Sequence, residues 1–312
     1  MLSFVTAQEK GMEAFLSVSS ASRYQPELRG YADSLVQQGY TKLDWCVVGL
    51  EVTAPAARAA MWAPPGETVP TDLVLIEIDW GGEALATGQE LLAGMHALAT
   101  QLGAESLSHS IDSPPTPPQY QEHDDARARL MAAAGYELLR DGLRWKRLKS
   151  SAAAEPPDRT LSFRSLPELG EEAFVEALAA TYDGTRDAWI NRTVGEHGLL
   201  GAARADFVEY QGLDHLPEWW ELAYDQDGAL AGIVMAARTP SVSVIGYVGV
   251  VPGQRGRGLA VQLVRRGTEQ LVKGGADEIR GDCDRDNIAM ARAFERAGYE
   301  QFARRRTYKR VL

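Results

Sequence analysis

Three glycines and two arginines stand together in the segment PGQRGRGLA, which covers residues 252–260. The apolar run VIGYVGVV precedes it and LAVQLVRRGTEQLV, with helical apolar spacing, follows it, so we predict a turn between a strand and a helix. Glycines here let the backbone approach a ligand closely, and the first N–H groups of the helix lack intrahelical partners. With the helix dipole and the charges of Arg255 and Arg257, they would form an anion site suited to a pyrophosphate. The alternative is a turn whose glycines serve only its geometry.

A second polar segment, DCDRDNIAMARAFERAGYE, begins about thirty residues after the glycine turn and covers residues 282–300. Asp286 or Asn287 would cap a helix at this point, because short polar side chains accept hydrogen bonds from the first helical N–H groups. The helix would stop at Gly298, where a glycine can adopt the left-handed conformation of a helix end. Strand, turn, helix, strand and capped helix therefore follow one another from residue 242 to residue 300.

In these two segments the sequence resembles the GCN5-related N-acetyltransferases, the GNAT family. The acetyl-CoA motif of that family, R/Q-x-x-G-x-G/A, is followed by an Asn-led helix that ends in glycine and an aromatic residue. The matching residues are Arg255, Gly258, Ala260, Asn287 and Gly298-Tyr299. The resemblance is specific over residues 242–300 and looser over the rest of the second half of the chain.

The resemblance implies acetyl-CoA as the acyl donor and assigns its binding to backbone groups. The amides of the turn would hold the pyrophosphate, and they belong to Arg255, Gly256, Arg257, Gly258, Leu259 and Ala260. The strand YVGVV would separate from its neighbour and pair with the pantetheine arm at Val250. The amide of Val248 would polarise the thioester carbonyl and stabilise the oxyanion, a role in which one lost donor costs on the order of 10²–10³ in rate. Asn287 would reach the pantetheine or a water near the sulfur.

The sequence departs from the family pattern at the expected general acid. Many members have a tyrosine seven residues after the asparagine, and this chain has Phe294. A water or Tyr247 could protonate the thiolate instead. The strand 242–251 has no carboxylate, so Asp282 and Asp284 are the candidates to accept the proton of the ammonium group. Both could instead be residues that form a turn and cap a helix.

We expect the acceptor to lie near two acidic and aromatic segments. TYDGTRDAW carries Asp183 and Asp187 around a glycine, and EYQGLDHLPEWWELAYD carries Trp219 beside further acidic and aromatic residues. These side chains would suit a cationic amine through charge pairing and cation–π contact. The alternative is a capped helix followed by a hydrophobic strand.

These elements occur twice in the chain. ARARLMAAAGYELLRDGLRWKRL in the first half resembles AMARAFERAGYEQFARRRTYKRV in the second, which indicates an internal duplication. We therefore predict an α/β (α+β) fold with two tandem GNAT-like domains, each a mixed central β-sheet flanked by helices. The first domain would span residues 1–148 and the catalytic domain residues 160–312, with 149–159 as a linker.

The first domain should be degenerate at the donor site. Aligning Gly103 with Gly275 places Glu83-Ala84-Leu85-Ala86 opposite Arg255-Gly256-Arg257-Gly258, so both the glycines and the arginines are missing. A proline-rich insertion in the first half, around residues 113–118, would be a lid or an exposed loop. The first domain would then support the second or line the acceptor cleft.

Composition and charge restrict the partners, the cellular compartment and the metals that we expect. The net charge of −11 argues against a nucleic-acid partner, which requires a positive surface. No apolar stretch approaches the ~18 residues that cross a bilayer, and the N-terminus has no secretion-signal layout, so we expect a cytoplasmic protein. Five histidines are scattered and the two cysteines lie far apart, so we expect no metal. The chain would be a monomer or a homodimer.

The sequence thus favours an acetyl-CoA-dependent N-acetyltransferase that acts directly on a small-molecule, cationic amine. One alternative is a mycothiol synthase-like enzyme, a tandem relative that acetylates a cysteinyl amine. The other is a non-catalytic acyl-CoA sensor, which Phe294 and the absence of an obvious base keep open. The sequence does not identify the acceptor or the acyl chain.

Overall fold

A computed structural model describes residues 1–18, 24–151, 161–239 and 242–312. The chain divides into two compact units: Met1–Asp141 with Ala303–Leu312, and Gly142–Phe302. Most of the predicted linker, residues 152–159, lies outside the described residues.

The described part of the first unit contains a β-sheet and four α-helices. Its strands are β1 (Ser3–Thr6), β2 (Cys46–Glu51), β3 (Ala54–Trp62), β4 (Asp72–Ile78), β5 (Ser106–Ser113) and the beginning of β6 (Glu137–Leu148). Its helices are α1 (Ala7–Ser17), α2 (Gln25–Gln37), α3 (Ala84–Gln101) and α4 (Asp124–Ala133).

The second unit contains the strand, turn, helix, strand and capped helix that the sequence predicts over residues 242–300. Its strands are β7 (Ser162–Ser165), β8 (Trp220–Tyr224), β9 (Leu230–Arg238), β10 (Ser243–Val250), β11 (Glu278–Asp284) and the beginning of β12 (Glu300–Val311). Its helices are α5 (Leu166–Leu169), α6 (Glu171–Tyr182), α7 (Ala188–Gln211), α8 (Leu259–Lys273) and α9 (Ile288–Arg296). Helix α7 consists of two helical segments that meet at a kink at Gly198. In the described parts of the chain, no helix combines the length and the apolar character needed to cross a membrane.

Each unit contains a mixed sheet with one parallel pair. In the second unit the strand order is β6, β11, β10, β9, β8 and β7, and β10 and β11 are parallel. In the first unit the order is β1, β2, β3, β4, β5 and β12, and β4 and β5 are parallel. The α/β (α+β) architecture and the presence of two similarly built halves agree with the prediction from sequence.

The final strand of each half belongs to the other unit. Residues Gly142–Leu148 pair with β11 over its full length, and Trp145, which is 7% exposed, stacks on Phe294 with ring centroids 6.0 Å apart. Residues from Ala303 onward belong to the first unit, where they pair with β5. The sequence repeat and the compact units therefore divide the chain at different residues.

Two helices of the second unit pack on opposite faces of its sheet. A Cβ atom on Gly249 would come within 2.6 Å of Thr181 in α6, so only glycine permits this approach. Leu263 of α8 packs instead with Val248 and Val250. Because neighbouring residues of a strand point to opposite faces, α6 and α8 lie on the two sides of β10.

His109 is a buried polar group in the first unit. Its side chain is 1% exposed, and Nδ1 lies 2.8 Å from the carbonyl oxygen of Leu73, to which it donates. Burial lowers the pKa of His109 to about 4, from an ordinary value of 6.5. His109 is therefore held neutral, with its proton on Nδ1.

We expect His109→Asn to reduce the acid sensitivity of the fold. Because the folded-state pKa lies below the unfolded one, the stabilisation is present above pH 6.5 and is lost as the pH falls towards 4, by up to about 3 kcal/mol. Asparagine can keep a donor for Leu73 but does not titrate in this range. Urea unfolding at pH 7 and pH 4.5 should show a smaller loss in the variant than in the wild type. Equal losses in the two proteins would contradict this assignment.

Candidate functional site

The turn before α8 presents a run of backbone amides that bind nothing in the described part of the chain. Gln254 and Arg255 donate their N–H groups to Val251 and Pro252, and Val261 donates to Gly258. Between them, the N–H groups of residues 256–260 have no acceptor among the described residues. Consecutive free amides at a helix N-terminus form an anion site.

Glycine is required at two positions of this turn. Gly256 has a φ of 79° and Gly258 a φ of 76°, a region that L side chains rarely adopt. Gly258 is the residue immediately before α8, and no side chain caps the helix. The space around Gly256 is open within 4 Å, so a ligand can approach the backbone closely.

Arg255 differs from its predicted role. Its amide already binds Pro252, so the free amides begin at Gly256. Its guanidinium donates to four carbonyl oxygens, at 2.7–3.1 Å, which belong to Val250, Thr181, Asp183 and Gly184. Arg255 therefore ties the turn to the end of α6. Arg257 is exposed and donates to the side chain of Gln254, so its charge stays at the surface of the turn.

Strands β10 and β11 separate after their first residues, as the family resemblance implies. Their pairing is confined to Ser243 with Ile279 and Val244 with Arg280. Val251, just beyond β10, donates its N–H group to the carbonyl oxygen of Ala231 in β9, 3.1 Å away. Because N–H groups alternate along a strand, those of Val248 and Val250 point to the other edge, from which β11 has diverged.

Asn287 and Phe294 lie on the other side of this opening, on α9 and its cap. The Asn287 side chain accepts the N–H of Met290 at 3.2 Å, while its Nδ2 has no partner among the residues described. Phe294 is 2% exposed and its ring lies 2.5 Å from where a Cβ of Gly281 would be. Phe294 is thus a core residue beneath β11, consistent with the absence of a hydroxyl at this position.

Three tyrosines gather on the face of β10 that α6 covers. The hydroxyl of Tyr247 lies 2.8 Å from Oγ1 of Thr181, which itself donates to Leu178, so Tyr247 is the donor in this pair. Its ring contacts Tyr182 edge-on at 5.7 Å and Tyr210 at 6.1 Å. Burial raises the pKa of Tyr247, so its hydroxyl is protonated near neutrality.

Carboxylates of α7 lie beside these tyrosines. Asp206 is 7% exposed and accepts a 2.7 Å hydrogen bond from the hydroxyl of Tyr182. Burial raises the pKa of Asp206, and the charge of Asp187 raises it further. Burial also raises the pKa of Glu209, with a contribution from Asp206. Negative charge is therefore concentrated next to the aromatic rings.

The structure brings Asp187 and Asp284 together at the start of α7. Asp187 caps the helix by accepting the N–H of Ile190 at 3.0 Å, and Asp284, which is buried, accepts the N–H of Ala188 at 2.6 Å. Asp282 is half-exposed and forms an ion pair with Arg144 at 3.6 Å. Asp183 is exposed at the end of α6 and contributes its carbonyl oxygen to Arg255.

Trp219 does not share this location. It is 4% exposed and packs against Gly274, just beyond the last residue of α8, with the Arg238 guanidinium 4.5 Å from its ring. The turn lies at the first residue of α8, about 20 Å away along a helix of this length. The substrate role predicted for Trp219 is replaced by a packing role.

Sequence reasoning missed Tyr182 and Asp206. Asp206 lies one turn after Ala202 and beside Phe207, on the buried face of α7. A carboxylate on the apolar face of a predicted helix could have indicated it, since such groups are rarely buried without a partner or a function. In the described residues, no group of three or more His, Cys, Asp or Glu side chains could hold a metal ion.

The turn before α8 and the separated strands β10 and β11 lie within a segment that matches a protein-family model. Residues 186–299 match the model of the acetyltransferase (GNAT) family. A comparison with curated protein sequences finds no match.

Several solved structures are similar over nearly the whole chain. A GCN5-related N-acetyltransferase from Sphaerobacter thermophilus has a TM-score of 0.60 and 20% identity, over 99% of this chain and 95% of that one. A tandem GNAT protein from the clavulanic acid biosynthesis pathway has a TM-score of 0.50 and 16% identity, over 100% of this chain and 98% of that one. A glucosamine N-acetyltransferase region of a fungal multi-domain β-N-acetylglucosaminidase has a TM-score of 0.54 and 11% identity, over 99% of this chain and 38% of that one. Residues 186–299 therefore match the model of the GNAT acetyltransferase family, in a chain whose fold is similar to that of tandem GNAT proteins.

Proposed function

We propose that the second unit binds acetyl-CoA and transfers its acetyl group directly to the amine of a small, cationic acceptor. One observation carries the proposal: the free amides of residues 256–260 and the open edge of β10 are adjacent within the family region. An anion held by the turn would leave the remainder of its molecule beside that edge. This combination fits a pyrophosphate with an extended, amide-containing arm.

The chain offers a group for each part of the donor. Acetyl-CoA, when bound, supplies an activated acetyl thioester. The amides of residues 256–260 would hold the pyrophosphate, the Val250 backbone and Asn287 Nδ2 the pantetheine arm, and Val248 N–H the thioester carbonyl. A fixed amide at that place stabilises negative charge that develops on the oxygen, with no reorganisation cost during the reaction. Arg255 would keep the turn in position.

The face opposite α8 has the character of a site for a cation. Tyr182, Tyr210 and Tyr247 present aromatic rings, and Asp187, Asp206 and Glu209 surround them with negative charge. Burial of Asp206 and Glu209 disfavours their charged form, and a bound ammonium group would offset that cost. The preference for a cationic amine rests on this balance.

The amine must lose a proton before it can attack. Asp282 is already paired with Arg144, so we assign proton acceptance to the carboxylates near the tyrosines, with Asp284 at the same helix start as a further candidate. Tyr247 or a water would return a proton to the thiol. Tyr247 is the predicted side chain that carries a hydroxyl, since Phe294 has none, and it would have to exchange its hydrogen bond to Thr181 for one to the thiolate.

The proposal is tested by measuring thiol release from acetyl-CoA with a panel of acceptors. The panel contains diamines, glucosamine, a cysteinyl amine and a neutral amine, with N-acetylated product identified by mass spectrometry. Thiol release coupled to product with a cationic amine is the expected result. Tight acetyl-CoA binding with no product on any acceptor would favour the sensor instead, a function consistent with the engaged Tyr247 hydroxyl.

We expect Asp187→Asn to raise KM for a cationic acceptor about tenfold and to leave KM for acetyl-CoA unchanged. Asparagine caps a helix as well as aspartate does, so α7 should be retained while one negative charge is lost. Loss of a charged partner from a partly buried pair corresponds to about 1.4 kcal/mol or more. Steady-state kinetics with a cationic and a neutral amine check this, because only the cationic acceptor should be affected. An equal change for both amines would rule out a charge-pairing role.

A further inference from the structure

The first unit contains its own opening between parallel strands, and side chains of the same unit fill it. The recorded pairing of β4 with β5 is confined to Asp72 and Ser108, so the strands diverge as β10 and β11 do. In the second unit the corresponding edge of β10 carries the amides of Val248 and Val250, which have no partner among the described residues. The two halves of one chain can therefore be compared directly.

Along β4, three backbone groups are bound by side chains from β5, from α4 and from the segment between them. Gln119 accepts the N–H of Leu75 at 2.9 Å. His109 donates to the carbonyl oxygen of Leu73 at 2.8 Å, and Arg127 donates to that of Ile76 at 2.6 Å. These groups would otherwise be available to a ligand.

Along β5, a second glutamine does the same. Gln121 accepts the N–H of Asp112 at 3.0 Å and donates to the carbonyl oxygen of Ser110 at 2.9 Å. Its Nε2 also lies 3.4 Å from Nε2 of His109, which is the unprotonated nitrogen when Nδ1 donates to Leu73. Gln121 and His109 are 5% and 1% exposed, so this part of the network is buried.

The segment that supplies these glutamines is residues 113–121, which we call the plug segment, and it begins with the predicted proline-rich insertion, residues 113–118. Tyr120 stacks on Tyr24 with ring centroids 4.3 Å apart and planes 12° apart. Thr116 donates to Asp112 at 3.3 Å, and Asp112 is held by both nitrogens of the Arg305 fork at 2.8 and 2.7 Å. The segment is thus fixed to the unit at several points.

The first unit also lacks the turn that would hold a pyrophosphate. Residues 79–83 connect β4 to α3, whereas residues 251–258 connect β10 to α8. Glu83 immediately precedes α3, as Gly258 precedes α8, so the two residues occupy equivalent places. The sequence alignment places Glu83 opposite Arg255 instead. A carboxylate at a helix N-terminus competes with an anionic ligand.

We propose that the plug segment occupies, in the first unit, the place that an acyl-CoA arm takes in a GNAT domain. A glutamine carboxamide offers one donor and one acceptor, the same pair as each amide of pantetheine. The chain therefore has a single acyl-CoA site, in the second unit, and the first unit is closed by its own residues. This inference rests on the proposed function for the identity of the ligand, but not for the contacts of the plug segment.

Hydrogen exchange on the full chain tests the proposal. Gln119→Ala should raise the exchange rate of the Leu75 amide about tenfold, because a hydrogen bond of ordinary strength is lost. Gln101→Ala, at an exposed position on α3, is the matched control and should change nothing. In the wild type, acetyl-CoA should bind with one equivalent per chain and protect residues 247–262, but not 72–78.

Three results would overturn the inference: a second equivalent of acetyl-CoA, protection of residues 72–78 by acetyl-CoA, or equal Leu75 exchange in the two variants. Absence of acetyl-CoA binding altogether would refute the proposed function. In that event the Leu75 comparison still decides whether the plug segment fills the opening, and Gln119→Glu, which keeps an acceptor oxygen, should restore slow exchange.

Discussion

Gly258→Asp should weaken acetyl-CoA binding by at least about a hundredfold. The variant places a negative charge immediately before α8, among the free amides that would hold the pyrophosphate. Two unit charges about 5 Å apart in partly screened surroundings repel by roughly 3 kcal/mol, which corresponds to about two orders of magnitude in Kd. The nearest atom to a new Cβ is Arg296 Nη1, at 3.9 Å, so the effect is not one of collision.

The control for this variant is Gly275→Asp. Gly275 also has a positive φ, 90°, with open space around it, and it lies just beyond the other end of α8. It shares the backbone strain but not the proximity to the turn. Calorimetric titration should show near wild-type affinity for Gly275→Asp and greatly weakened binding for Gly258→Asp. Unchanged affinity in Gly258→Asp would show that the pyrophosphate binds elsewhere.

The second large effect concerns where the chain can be cut. A fragment of residues 142–302 should fold and bind acetyl-CoA, whereas residues 161–312, the predicted catalytic domain without its first residue, should not fold. The second unit includes Gly142–Leu148, which pairs with all of β11, and the fragment 161–312 lacks this strand. The fragment 161–312 also lacks Trp145, whose burial against Phe294 contributes about 3–5 kcal/mol to the free energy of unfolding.

Loss of that size is a large part of the 5–15 kcal/mol that stabilises an ordinary domain. The exposed edge of β11 would also invite aggregation. Circular dichroism during thermal unfolding should show a cooperative transition for 142–302 and none for 161–312. A cooperative transition of equal midpoint in both fragments would mean that the exchanged strand is dispensable.

The part of the site that depends on local backbone could be predicted from the sequence. Gly256 and Gly258 need positive φ, and the capping role of Asn287 follows from its position before an amphipathic helix. The separation of β10 from β11 followed from the family resemblance and not from the strand sequence itself. All these features are encoded within a few neighbouring residues.

The features that depend on distant contacts could not be predicted. Trp219 is a residue type that often binds ligands, but here its ring packs closely against Gly274 at the end of α8 and is part of the core. Tyr182 and Asp206 are 24 positions apart and meet only because α6 packs on α7. The strand exchange has no local signal, since either final strand has the pattern to complete either sheet.

Arg255 shows a third kind of limit. Its position in the motif indicates a charge near an anion, yet its guanidinium binds carbonyl oxygens of α6 and the following loop. A motif gives the residue type and not the direction of the side chain. The role of the plug segment could not be predicted from the sequence either. Its glutamines can be assigned a role only once the opening between β4 and β5 is known.

The central claim is that the amides of residues 256–260 and the open edge of β10 together bind acetyl-CoA. A crystal structure of the full chain grown with CoA tests it most directly. The account predicts pyrophosphate oxygens within hydrogen-bonding distance of these amides and the pantetheine arm along Val248 and Val250, in the second unit alone. A pyrophosphate bound elsewhere, or an arm that does not contact β10, would contradict it.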